Sequence, residues 1–172
     1  TKNGAGNLTL SAANTYAGAT IVNAGTLTVS NAASLPVRTA LTVATGATFD
    51  MPSVNQTIGS LSGAGTVAAT AAGATRTLTL GLDNTNSSFT GRFLGPATAT
   101  RLAVTKIGSG IFTLASTTAS TYTGATTISG GAVLLDFSGN ALTSMLAATP
   151  LTISGGNLQV KGRSGAAIAQ TL

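Results

Sequence analysis

Apolar and polar residues alternate along this chain in very short runs. They recur at Leu8-Thr9-Leu10, Leu27-Thr28-Val29, Leu41-Thr42-Val43, Phe49-Asp50-Met51, Leu78-Thr79-Leu80, Leu102-Ala103-Val104, Phe112-Thr113-Leu114, Val133-Leu134-Leu135, Leu151-Thr152-Ile153 and Leu158-Gln159-Val160. A period of two marks a strand with one buried face. Triplets cannot hold a hairpin sheet together, but they suit a coil whose strands pair in parallel with their equivalents one turn above and below. The pattern therefore places Leu8, Leu10, Leu27, Val29, Leu78, Leu80, Phe112 and Leu114 inside and the intervening threonines outside. Glycines between the triplets mark corners, where a missing Cβ permits positive φ or close stacking of backbones. Gly139 to Ala148, closed by Pro150, is the one stretch that reads as a helical insertion of one or two turns, and Asn31 to Pro36 is its weaker counterpart.

The triplets belong to a longer repeat. Lys2-Asn3-Gly4-Ala5-Gly6-Asn7-Leu8-Thr9-Leu10 returns as Lys106-Ile107-Gly108-Ser109-Gly110-Ile111-Phe112-Thr113-Leu114. Asn14-Thr15-Tyr16-Ala17-Gly18-Ala19-Thr20 returns as Ser120-Thr121-Tyr122-Thr123-Gly124-Ala125-Thr126, and Asn23 to Val29 returns as Ser129 to Leu135. A degenerate copy lies between them, with Phe89 and Gly91 in the places of Tyr16 and Gly18. Self-similarity of short strands and glycine turns predicts a solenoid. Residues 1–172 read as one solenoid segment, with units of about 1–105 and 106–172, the second incomplete. At roughly 20 residues per coil this predicts eight or nine coils, about 40 Å long at ~4.8 Å per rung.

The order K-x-G-x-G-x-L-T-L, N-T-Y-x-G-x-T, short strand, glycine turn and L-x-V strand resembles the autotransporter-associated β-strand repeat, also called the passenger-associated transport repeat, of bacterial surface and secreted proteins. Lys2 to Val29 matches nearly throughout; Lys106 to Leu135 matches with Ser120 replacing the usual Asn and two residues inserted before Tyr122. The resemblance implies an all-β, right-handed parallel β-helix, carried outside the cell or on the bacterial surface as a stalk or passenger. No counterpart of the membrane β-barrel that many relatives carry is recognised in these residues, which leaves the export route open. Ala169-Gln170-Thr171-Leu172 echoes Asn55-Gln56-Thr57-Ile58, after which the first unit continues. The expected partners are therefore further repeats of the same parent chain, or identical subunits stacked end to end in a filament or sheath.

Composition narrows the chemistry. Only 6% of residues are charged, and His, Cys and Glu are absent. Catalysis at neutral pH draws on those side chains or on paired carboxylates. The acids are Asp50, Asp83 and Asp136 alone, far apart in sequence, although stacking of coils could bring Asp50 near Asp83. The best enzymatic constellation, for a polysaccharide-active β-helix, is Asp136 with Lys161 or Arg163 one coil later. No catalytic residue, metal ligand set or cofactor is assigned. Gly63-Ala64-Gly65-Thr66-Val67-Ala68 looks like a dinucleotide-binding turn but leads into a strand. No run approaches the ~20 apolar residues of a membrane helix.

The net charge of +5 favours polyanions at low salt. Arg76, Arg92, Arg101 and Lys106 form the densest basic region and are the candidate contact for an anionic surface polysaccharide. Little aromatic interleaving and no binding motif accompany them, which argues against nucleic acid. Tyr16, Phe89 and Tyr122 read as aromatic plugs over the core. The function that follows is a non-enzymatic, extracellular structural or adhesive segment.

Overall fold

The computed structural model describes residues 1–95, 101–165, 167, 168 and 170. Its strands, in chain order, are β1 (Asn7–Leu10), β2 (Thr20–Val22), β3 (Thr26–Val29), β4 (Ala40–Val43), β5 (Thr48–Asp50), β6 (Gln56–Thr57), β7 (Ser60–Gly63), β8 (Thr66–Ala68) and β9 (Arg76–Leu80). There follow β10 (Ser87–Phe89), β11 (Arg92–Leu94), β12 (Leu102–Lys106), β13 (Ile111–Leu114), β14 (Thr126–Ile128), β15 (Ala132–Asp136), β16 (Leu151–Ile153) and β17 (Asn157–Lys161). They form three sheets around one core. A long sheet of seven strands runs β2-β4-β7-β10-β13-β15-β17, a first short sheet runs β1-β3-β5-β8-β11, and a second short sheet runs β6-β9-β12-β14-β16. Every pairing is parallel.

The result is a parallel β-solenoid of about seven turns, one for each strand of the long sheet. The expected eight or nine coils are too many because the coils are longer than assumed and uneven. Thr48 stacks on Thr66, 18 residues on, whereas Arg76 stacks on Leu102, 26 residues on. The extra residues enter as corner loops, leaving the rung spacing untouched, so the axis is about 30 Å long at ~4.8 Å per rung.

The faces fall largely where the alternation puts them. Leu27, Val29, Leu78, Leu80, Phe112 and Leu114 are buried, and Thr28, Thr79 and Thr113 between them are only partly covered. Leu8 and Leu10 differ, for Leu8 is 42% exposed and Leu10 only partly buried. Both lie on β1, at the end of the first short sheet, where a neighbouring strand covers one side only. On the second short sheet the outward positions make an in-register column of Thr57, Thr79, Thr105, Thr127 and Thr152. β-branched residues hold their χ1 in such a column and pack side by side along the ladder.

Corner glycines follow the same logic. Gly108 has φ +69°, and a Cβ there would lie 2.1 Å from the Gly81 carbonyl oxygen of the coil before.

Residues 139–148 are not helical. The Leu142 N–H is taken at 3.0 Å by the Asn140 side-chain oxygen, a local bond that competes with a helical turn. Met145 and Leu146 are buried, and their amides donate to Gln170 Oε1 at 3.0 and 3.1 Å. Asn31 to Pro36 behaves alike, with Ala33 N–H on Asn31 Oδ1 at 2.8 Å and Leu35 buried. Gln56 is likewise buried and donates to Ala32 O at 3.1 Å, 24 residues back, as Gln170 donates to Leu146 O at 3.1 Å. Gln170 thus repeats the amide donation of Gln56 but not its carbonyl's role, since Gln56 Oε1 accepts no hydrogen bond among the described residues, while Ala169, Thr171 and Leu172 lie outside them.

We expect Leu80→Ala to cost about 2–5 kcal/mol through lost burial and a cavity, and Thr79→Ala to cost under about 1 kcal/mol. Urea denaturation of the two variants measures the difference; equal costs would refute the assignment of faces.

Candidate functional site

The repeated lysine turns its charge inward. Lys106 ends β12 and is 2% exposed. Its ammonium donates to the carbonyl oxygens of Ile107 (2.6 Å), Gly108 (3.0 Å) and Gly130 (3.3 Å), the last in the corner one coil on. Lys2 does the same, donating to Gly4 O and, at 2.9 Å, to Ala24 O. The Lys-x-Gly-x-Gly stretch therefore forms a cationic cap on corner carbonyls that the ladder leaves without a donor. Burial lowers the Lys106 pKa, and the Asp83 carboxylate opposes that shift.

Most of the other cations are spent in the same way. Arg38 donates to Leu82 O at 2.9 Å, Arg76 Nε to Pro52 O at 3.2 Å and Arg163 to Asn140 O at 2.7 Å. Lys161 pairs with Asp136 at 3.0 Å. Of the four residues expected to contact a polyanion, Arg76 lies at the start of β9 and Arg101 just before β12, its carbonyl accepting the Arg76 N–H at 2.7 Å. Arg92 is on β11 in the first short sheet, and Lys106 is buried. The structure thus stacks two of the four, puts the third on another face and the fourth in the core.

The aspartates are separated as well. Asp50, on β5, accepts from Thr70 N–H (3.1 Å) and Oγ1 (2.6 Å) and stacks between Thr28 and Ala68, so it does not meet Asp83, which follows β9 and accepts from Thr85 N–H at 3.1 Å. Asp136 does stack on Lys161 in register, as the spacing suggested, but Arg163 turns to the Asn140 carbonyl. The Ser138 hydroxyl and amide hold Asp136 below the ordinary carboxylate range, with Lys161 adding to this. Asp136 and Lys161 thus form a surface ion pair, with Asp50 and Asp83 placed elsewhere. Among the described residues no group of three His, Cys, Asp or Glu could hold a metal ion, and no helix is long and apolar enough to cross a membrane.

Tyr16 and Tyr122 are equivalent in detail, each hydroxyl 2.6 Å from the threonine four residues on, Thr20 and Thr126. Tyr122 is buried and edge-on to Phe93, with ring centroids 5.9 Å apart; Tyr16 is 38% exposed. Phe89 is not their counterpart. It is a strand residue of β10 whose ring packs on Phe93 at 5.4 Å.

The concave surface lies elsewhere, along the corner that follows each strand of the long sheet. Thr45, Thr66, Thr90, Arg92, Thr117 and Thr118 line a hollow of about 300 Å³, and Thr90 and Thr117 also border a second of about 270 Å³ that reaches Asp136, Ser138 and Asn140. Its floor passes over Gly65 and Gly91, where a Cβ would meet carbonyl oxygens of the preceding coil at 2.4 and 2.0 Å. Sequence reading missed this groove, although the small residues flanking it, Thr45, Gly65, Gly91 and Thr117, follow successive long-sheet strands.

Three parallel sheets, lysines capping corner carbonyls and repeated tyrosine–threonine contacts make the chain a parallel β-solenoid with internal repeats. Residues 1–29 and 104–135 match the passenger-associated transport repeat family, and the chain carries those repeats. Over 172 residues, 98% of its length, it is 36% identical to the adhesin BmaC autotransporter of Brucella suis biovar 1 (strain 1330). It spans 5% of that relative's length. No solved structure matches it significantly.

Lys106→Met leaves three carbonyls without their donor, so we expect a loss of about 1–3 kcal/mol, against at most about 1 kcal/mol for Lys161→Met at the exposed pair; chemical denaturation compares them. Burial also raises the Tyr122 pKa, with the Thr126 hydrogen bond opposing. A phenol raised above its ordinary value near 10 contributes stability that is complete below that pH and lost as pH rises through the folded-state value. Thermal unfolding between pH 8 and 11 should show this loss, and Tyr122→Phe should flatten it.

Proposed function

We propose that this chain is a rigid, surface-exposed segment of a bacterial autotransporter adhesin, supplying reach and a repetitive contact wall and performing no catalysis. The observation that carries the reading is the unbroken in-register stacking of parallel rungs in a chain whose repeats align along nearly its full length with an adhesin. A parallel ladder resists bending because each coil is fixed by hydrogen bonds to two others, and stability adds up coil by coil. The same relationship supports a location outside the cell or on its surface.

Its nearest partners are further coils. Leu8 and Tyr16 at one end and Ile153 and Val160 at the other are exposed large apolar groups, whereas between them only Val37, in a corner loop, is comparably exposed among the described residues. Apolar rung surfaces of this kind are covered by stacking another coil, from the same parent chain or from an identical subunit.

Beads coated with the 172-residue chain should adhere to cultured mammalian cells well above albumin-coated beads, and heat-unfolded coating should abolish the difference. Adhesion no better than albumin overturns the adhesive reading. Depolymerisation of a polysaccharide by the chain, lost in Asp136→Asn, would replace it with an enzymatic one. Light scattering across a hundredfold concentration range distinguishes self-stacking subunits, whose mass grows, from a segment completed within its own parent chain.

A further inference from the structure

We infer that the groove along the corner after the long sheet binds a linear, uronate-bearing polysaccharide lying parallel to the solenoid axis, with Arg92 as its anion contact. This rests on the adhesive reading and gives it a ligand class.

Three observations carry the inference. The first is the state of Arg92. Six of the eight basic residues hold a backbone carbonyl or a carboxylate: Lys2, Arg38, Arg76, Lys106, Lys161 and Arg163. Arg92 has no side-chain hydrogen bond or ion pair among the described residues, is partly exposed, and stands in a hollow of about 300 Å³. A cation with no structural duty, kept in a concave site, is available to a ligand, and a guanidinium presents a planar fork that matches a carboxylate.

The second is periodicity. Thr45, Thr66, Thr90 and Thr117 come from four successive coils, so each rung of ~4.8 Å adds a hydroxyl to the lining, although at staggered positions, Thr66 stacking on Thr48 and Arg92. A pyranose chain in extended form repeats on a similar scale, and its hydroxyls both donate and accept, as threonine does. Gly65 and Gly91 let the coils stack closely beneath the groove, since a Cβ at either would meet a carbonyl of the preceding coil.

The third is what the groove lacks. Strands β4, β5, β7 and β8 are paired on both sides, and at β11, which ends its sheet, the Phe93 carbonyl accepts from Thr121 N–H and the Phe93 amide donates to the Ser120 hydroxyl, which leaves little edge for an added peptide strand. The lining contains no aromatic residue on which neutral sugars could stack and no large apolar anchor for a protein partner. Charge must therefore supply much of the affinity. The net +5 of the chain draws an anionic polymer in, and Asp136 at the far end of the groove is already neutralised by Lys161.

The test titrates the 172-residue chain, labelled with 15N, with three hexasaccharides: hyaluronan, oligoalginate and neutral cellohexaose. Either acidic oligosaccharide should shift amide signals confined to residues 45, 64–66, 90–92 and 115–118, and the stronger of the two shows whether the ligand is a host-matrix or a bacterial type of uronate. Arg92→Gln should weaken binding about tenfold and reduce its salt dependence. Thr117→Val should weaken it several-fold. Thr105→Val, on the opposite hydroxyl column, should leave it unchanged. Unchanged affinity in Arg92→Gln with a preserved spectrum, shifts located on another face, equal binding of cellohexaose, or no binding of either acid at millimolar concentration each overturns the inference. Bead adhesion measured in parallel separates the two readings: adhesion that survives Arg92→Gln removes the glycan contact and leaves the adhesive segment standing, whereas glycan binding without adhesion does the reverse.

Discussion

A strand of three residues cannot satisfy its own backbone, and the whole molecule is organised around that constraint. Each rung has amides and carbonyls that only the rungs above and below can pair. Register is therefore fixed along the axis, because slipping one residue would turn Leu78 and Leu80 outward and Thr79 inward against the neighbouring core. The core, the outer threonine columns and the solenoid's straightness are consequences of that pairing.

Where the ladder lapses at a corner, side chains take over. Lys106 supplies donors to three carbonyls, Gln170 accepts the amides of Met145 and Leu146, and the Ser116 hydroxyl reaches the Gly91 carbonyl across one coil. The Lys106 bond to Gly130 and those of Gln170 and Ser116 run between coils, so they do what a strand bond does elsewhere. This use of charge explains why a chain of net +5 has so few cations free for a ligand. It also directs attention to Arg92, which, like Arg101, stands apart from the pattern and which alone of the two lines the groove. Uneven coil length has a similar consequence: added residues collect in corner loops, and it is between such corners that the groove forms.

Much of this was legible in order. The triplets gave the strands and their buried faces, and the two copies of Lys-x-Gly-x-Gly and Tyr-x-Gly gave equivalent local structures down to the 2.6 Å tyrosine–threonine contacts. The strands passed over were those without a Leu-Thr-Leu signature, such as Ser60–Gly63 and Ser87–Phe89, where glycine or serine occupies positions that pairing alone makes extended. The helical reading of residues 139–148 failed because composition favoured it while Asn140 and Gln170 competed for its amides. The basic quartet failed to form one patch because proximity in sequence is not proximity on a coil, which sends neighbouring residues to different faces.

The sequence by itself determined the repeat and the alternation of faces, since these depend on residue type and near spacing alone. Only the tertiary structure decided on which face each copy lies. Lys2 bridges into the long sheet beside β1 of the first short sheet, whereas Lys106 ends a strand of the second short sheet beside β13 of the long one. Copies 104 to 106 residues apart are separated by coils of unequal length, so the repeat does not correspond to a whole number of turns. Which cations are buried, which corner becomes a groove and which arginines remain free all follow from that phase. It is set by the sum of every corner loop along the chain, a global quantity that no local window of sequence contains.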